Sequence, residues 1–72
     1  MPELPPADES AGRLRRAGWT IAEAVFAGPA TETLWFVRGV NGENLIQAHG
    51  STRDRALWMA CEQAAAVGML AR

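Results

Sequence analysis

The 72-residue sequence lacks several of the features that usually identify chemistry in a short chain. It contains no Lys and no Tyr, and only one Cys and one His. A single Cys excludes an intramolecular disulfide framework and a zinc site built from several cysteines, and it fits a reducing compartment. One His among scattered acidic residues gives no metal-binding pattern. We therefore expect no cofactor and no bound metal.

Long apolar runs and strong net charge are also missing. No apolar stretch reaches the roughly 18 residues that a membrane span needs. The first residues, Met1–Pro6, have neither the basic region nor the apolar region of a secretion signal. The net charge is −1, whereas general polyanion binders are usually strongly basic. The sequence thus predicts a cytoplasmic protein with no membrane contact.

The apolar content, 49%, is ordinary for a globular chain, but fourteen of these residues are Ala. A chain of this length can build one small core and no more. Three of the first six residues are proline, which removes backbone hydrogen-bond donors, so residues 1–7 are predicted to be a flexible, Pro-rich tail outside the folded domain. Residues 8–72 are then predicted to form a single domain.

Five elements are predicted, in the order helix, strand, strand, strand, helix. Their bounds are a short helix over 8–18, strands over 19–26, 33–40 and 43–49, and a long helix from 52 to about 67 or 69. The alanines within 19–26 leave a helix as the alternative for that segment. Asn41-Gly42 is a strong hairpin signal, because a type I′ turn needs positive φ at both central residues. Ser51 followed by Asp54 indicates the N-cap of the last helix. The predicted fold class is α+β, a three-stranded antiparallel meander with the long C-terminal helix on one face and a short N-terminal helix.

A two-residue turn at Asn41-Gly42 places Val40 opposite Glu43 and thereby assigns the faces of the sheet. The inner face, toward the long helix, then carries Trp35, Val37, Ile46 and Ala48. One main helix covers only one face, so the opposite or outer face is covered either by the first helix and the tail or by a partner, and the partner is favoured. The apolar residues predicted to form this partner face are Trp19, Ile21, Val25, Leu34, Phe36 and Leu45.

Cys61 and His49 are the only candidates for a nucleophile and its base. Such a pair must be in hydrogen-bond contact. Cys61 is predicted to point at the inner face and His49 lies on the outer face, so the two side chains should not meet. We therefore expect the protein not to be an enzyme.

The junction before the last helix reads Gly50-Ser51-Thr52-Arg53-Asp54-Arg55-Ala56 and leads into Ala60, Ala64 and Ala65. In this junction and in its element order the chain resembles the double-stranded RNA-binding domain, in which a glycine, Ser or Thr and a basic run precede an Ala-rich helix. The resemblance implies phosphate contacts by Arg53 and Arg55. Asp54 departs from the family pattern, since it places a negative charge inside the basic run.

The densest basic cluster is Arg13, Arg15 and Arg16 in the first helix. These residues either add phosphate contacts or are cations that stabilise the C-terminal end of that helix, and the second interpretation is favoured. Taken together, the sequence predicts a small, non-enzymatic interaction module of bacterial type that buries its outer face against itself or a protein partner. A homodimer is the favoured form. The alternative is a weak nucleic-acid-binding domain of the double-stranded RNA-binding layout.

Overall fold

The computed structural model describes residues 3–29 and 32–70. The elements are α1 (Ala7–Arg16), β1 (Thr20–Ala27), β2 (Thr33–Asn41), β3 (Asn44–Gly50) and α2 (Arg53–Ala66). The strands form one antiparallel sheet in the order β1-β2-β3. The predicted α+β class and element order are confirmed. Residues 1–2 of the predicted tail and residues 30–31 of the predicted β1–β2 loop lie outside the described residues.

The end of α1 is fixed by a left-handed glycine. Gly18 has a φ of 99°, which costs glycine nothing because it has no Cβ. The Gly18 N–H donates to the Arg15 carbonyl, and the Trp19 N–H donates to the Leu14 carbonyl, each at 3.0 Å. This is the Schellman pattern, which satisfies the last carbonyls of a helix. The chain therefore turns sharply and delivers Trp19 to the helix-covered side of the sheet.

The β2–β3 register differs from the predicted one by two residues. Asn41 pairs with Asn44, so Gly42 and Glu43 are the central residues of the turn. Only Gly42 has positive φ, at 63°, and positive φ at the first central residue alone defines a type II′ turn. A shift of two residues leaves every side chain on its predicted face, because side chains alternate with a period of two.

The predicted face of β1 is wrong. Ile21, Glu23 and Val25 are paired with Gly39, Val37 and Trp35, so all of them lie on the inner face. Trp19, also predicted on the partner face, is a core residue with 3% of its surface exposed. The cause is the alignment of Ala27 with Thr33 across the β1–β2 connection, which places the odd-numbered residues of both strands on one face.

Both helices cover the inner face of the sheet. The contact between α1 and α2 is built largely from small residues, which lets the two helices approach closely, and Leu14 and Leu57 are fully buried within the core. Trp35, predicted to be a buried residue of this core, is only partly buried against it, because it lies near one end of the sheet, opposite Gly50. The buried core residues are Ala7, Ala11, Leu14, Trp19, Val37, Ile46, Ala48, Ala56, Leu57, Ala60, Cys61 and Ala64.

Candidate interaction surface

The outer face of the sheet is not covered by either helix. α2 packs on β3 and β2, and α1 packs on α2 and β1, all from the inner side. The large apolar side chains of the outer face are 38–59% exposed: Phe26, Leu34, Phe36, Val40 and Leu45. Leu34, Phe36 and Leu45 thus lie where the sequence predicts them, and Phe26 joins them because the face of β1 is the reverse of the predicted one.

Phe36, on the central strand, is the middle of an aromatic cluster that spans all three strands. Its ring meets that of Phe26 edge to face, with centroids 5.4 Å apart at 88°. On the other side it lies 5.9 Å from the imidazole of His49 at 37°. Edge-to-face packing is a favourable arrangement for aromatic rings, so this cluster is an ordered apolar surface rather than scattered exposed residues.

A shallow depression lies beside this cluster. Ala22 and Ala24 on β1 are too short to fill the space next to Phe36, Arg38 and Gln47, and the resulting depression measures about 330 Å³. Arg38 is the only Arg, Lys, Asp or Glu on the outer face of the three strands. The outer face therefore combines raised rings, a recess and almost no charge.

Arg53, predicted to contact nucleic acid, is engaged on the other side of the sheet. Its Nε donates to Oε1 of Glu23 at 2.6 Å and its Nη2 to Oε2 of the same carboxylate at 3.2 Å. Its Nη1 donates to Oδ1 of Asp8 at 3.0 Å. The bonds to Glu23 and then to Asp8 raise the pKa of Arg53 above its ordinary value. One guanidinium thus links α2 to β1 and to α1.

Asp54, the residue that departs from the RNA-binding pattern, also has a structural contact. Its Oδ1 accepts a hydrogen bond at 2.8 Å from the N–H of Ala7, the first residue of α1. The cap of α2 itself is Thr52, whose hydroxyl accepts from the Arg55 N–H at 3.1 Å, and not Ser51 as predicted. The start of α2 therefore holds the start of α1 in place.

The remaining basic candidates do not converge on one site. Arg55 is exposed in the first turn of α2, where the N-terminus of α1 also lies. Arg15 and Arg16 are exposed at the opposite end of α1, roughly 15 Å away for a helix of this length. Arg13 lies near that end, beside Cys61 on α2. The structure separates the two groups of arginines that the sequence offered as phosphate contacts.

Cys61 and His49 lie on opposite sides of the sheet, as their predicted faces require. The Cys61 thiol is buried between the helices and donates to the Ser10 carbonyl at 3.5 Å. Burial raises the pKa of this thiol above its ordinary value, which lowers its thiolate fraction. Across residues 3–29 and 32–70, no three His, Cys, Asp or Glu side chains are grouped to hold a metal ion.

Helix length and composition bear on membrane insertion. None of the helices in the described part of the chain is both long and apolar enough to cross a membrane.

Comparison of the sequence with protein-family models and with curated proteins, and of the fold with solved structures, returned no match. The α-β-β-β-α order and three-stranded sheet are compatible with the topology of the double-stranded RNA-binding domain.

Proposed function

We propose that the protein is a non-enzymatic interaction module that buries its outer face against a second copy of itself. The observation that carries the proposal is the set of five large apolar side chains exposed on the sheet surface opposite both helices. Contiguous apolar patches beyond a few hundred Å² are rare on monomers and usually mark interfaces.

Shape and charge favour a second copy as the occupant. In a two-fold arrangement the same patch serves both chains, and an axis that crosses the strands at the level of Phe36 places the Phe26 ring of one copy over Ala22, in the recess of the other. The net charge of −1 leaves little repulsion between copies. A two-fold axis at the level of Phe36 holds the two Arg38 side chains about 13 Å apart along the strands, beyond the screening length of roughly 8–10 Å.

The size of the face predicts a weak dimer. Three strands spaced about 4.8 Å apart, each with eight residues rising about 3.3 Å, give a footprint of roughly 380 Å². A standard stable interface buries about 800 Å² on each partner. The outer face alone is therefore expected to give an association that depends on concentration.

NMR spectra recorded over a dilution series test this proposal. On dilution, amide signals of Phe26, Phe36 and Leu45 are expected to shift together, because the contact dissociates. Signals of Leu57 and Ala60, buried under the opposite side of the sheet, are the internal control and should stay constant. Constant outer-face signals across the series, or shifts confined to the helices, contradict the proposed contact.

Nucleic-acid binding is the alternative, and the exposure of Arg55 is the observation in its favour, since no described acidic side chain pairs with it. Contact through Arg53 would have to compete with Glu23 and Asp8. Retardation of labelled duplex RNA at low salt, lost on raising salt and in an Arg55→Ala protein, supports this alternative because phosphate contacts are salt-sensitive. No retardation at low salt contradicts it.

A further inference from the structure

The two edges of the sheet differ in how their backbone groups are satisfied. At the tip of the β1–β2 hairpin the Gly28 N–H donates to the Glu32 carbonyl at 2.6 Å, and these residues are opposite each other in the register of the hairpin. Antiparallel pairs alternate, so the even-numbered residues of β1 bond to β2. The N–H and C=O groups of Ile21, Glu23, Val25 and Ala27 therefore point away from β2, and β2 is the only strand of the described sheet that pairs with β1.

The other edge is partly capped. On β3 the outward Gln47 N–H donates to the Gln63 side chain of α2 at 3.1 Å. On β1, seven of the eight residues are exposed. Glu23 is exposed when the whole residue is considered, but its side chain is only 22% exposed. The exposed surface of Glu23 therefore belongs largely to its backbone.

β1 also lacks the residues that usually block a free edge. Native edge strands carry proline, free cations or an unpaired inward charge that prevents pairing with another chain. β1 has no proline and no cation. Its one charged side chain, Glu23, points inward and is neutralised by the Arg53 guanidinium. The edge is therefore open to a further strand.

We propose that β1 pairs antiparallel with β1 of a second copy, about a two-fold axis at Ala24, to form a continuous six-stranded sheet. This inference goes beyond the outer-face contact, because it uses backbone groups at the edge of the sheet and not side chains on its face.

The register follows from the outward residues. With Ala24 opposite Ala24, Ile21 faces Ala27 and Glu23 faces Val25 of the other copy, which forms about eight backbone hydrogen bonds. A register with Glu23 opposite Glu23 places like charges directly across from each other, which is destabilising. A register with Val25 opposite Val25 puts Ile21 opposite Pro29, which has no N–H to donate.

Side chains on the outer face also suit the Ala24 register. It sets the large Phe26 ring opposite the short Ala22 of the other copy, so the pair fits without collision. The joined sheet doubles the outer-face footprint to roughly 760 Å², close to the roughly 800 Å² of a standard interface. Ala24 and Phe36 are opposite each other in the register. The two-fold axis of the β1–β1 pairing and the two-fold axis of the outer-face contact therefore cross the sheet at the same level along the strands. Both contacts therefore fit in one four-chain assembly.

Hydrogen–deuterium exchange of the wild-type protein, read residue by residue by NMR, tests the edge directly. At low concentration the amides of Ile21, Glu23, Val25 and Ala27 should exchange fast, because they point away from β2, the only strand that pairs with β1 in the described sheet. At high concentration we expect exchange to slow by ~10-fold or more as these amides become hydrogen-bonded. The alternating amides such as Ala22 and Ala24 bond to β2 in every state and serve as the control. Edge amides that stay fast at the highest concentration overturn the proposal.

A proline variant distinguishes the β1–β1 edge pairing from the outer-face contact. Val25→Pro removes an outward N–H and breaks no bond to β2, whereas Val25→Ala removes the same side chain and keeps the N–H. We expect Val25→Pro to halve the assembly mass and Val25→Ala to leave it unchanged. A folded Val25→Pro protein of wild-type mass overturns the edge pairing. An unchanged mass in Phe36→Asp overturns the outer-face contact instead, so the two failures are distinguishable.

Discussion

Replacing Trp19 measures how much stability the inner face derives from one side chain. The indole is 3% exposed, and its Nε1 donates to the Met69 carbonyl at 3.0 Å. It also lies so close to Gly39 that a Cβ built there would be 3.3 Å from the ring. Trp19→Phe loses the hydrogen bond, worth about 1 kcal/mol, and opens a small cavity costing about 1–2 kcal/mol. The free energy of unfolding should therefore fall by about 2–3 kcal/mol.

Trp19→Ala should cost about 3–5 kcal/mol. That is a large part of the roughly 4–11 kcal/mol expected for a domain of this length. Urea unfolding followed by circular dichroism gives both values, with Trp35→Phe, at a half-buried position, as the matched control. If Trp19 lay on the outer face, as part of the predicted partner face, both substitutions would change stability by well under 1 kcal/mol. A loss that small for Trp19→Ala refutes the burial argument.

Three further substitutions or conditions test the packing beneath the sheet. Gly39→Ala should lower the free energy of unfolding by about 1–3 kcal/mol in the same urea assay, because its Cβ would lie 2.9 Å from Cγ1 of Ile46; unchanged stability contradicts this close packing. Ser10→Ala should raise the melting temperature, because the buried Ser10 hydroxyl has no hydrogen-bond partner among the described residues, and a stability gain of about 1 kcal/mol is expected. Burial raises the pKa of the Cys61 thiol above its ordinary value, so its contribution to the free energy of unfolding is fully present below the pKa of the unfolded state. That contribution is lost as pH rises further, because the unfolded chain then gives up this proton more readily than the folded one. Stability should therefore fall above about pH 9 and fall less in Cys61→Ala, and equal pH dependence of the two proteins contradicts the assignment.

Much of the fold follows from local patterns, and the exceptions depend on distant contacts. A tight β2–β3 hairpin and the small-residue side of α2 could be predicted because they depend on turn chemistry and helical periodicity, although the central residues of the turn are Gly42 and Glu43 and not Asn41 and Gly42. The faces of β2 and β3 were correct in spite of the wrong register, because the error was an even number of residues.

The position of Trp19 could not be predicted in the same way. Its burial depends on the carbonyl of Met69, 50 residues later in the chain. The inward Glu23 depends on Arg53, 30 residues later. A charged residue in the middle of an inner face contradicts the simple alternation rule, and only its ion pair makes that placement acceptable. The candidate surface was therefore recovered on β2 and β3 and missed on β1.

The central claim is that the outer face is buried between copies of the chain, and solution mass tests it most directly. Light scattering should be measured over a range of concentrations for the wild type, Phe36→Asp and Met59→Asp. Met59 is as exposed as Phe36, each at 39%, but lies on α2 in the helix layer, so it is the matched control. We predict a wild-type mass above the 7.8 kDa of one chain that rises with concentration, stays the same in Met59→Asp and falls in a folded Phe36→Asp protein. A wild-type mass of 7.8 kDa at every concentration contradicts the claim.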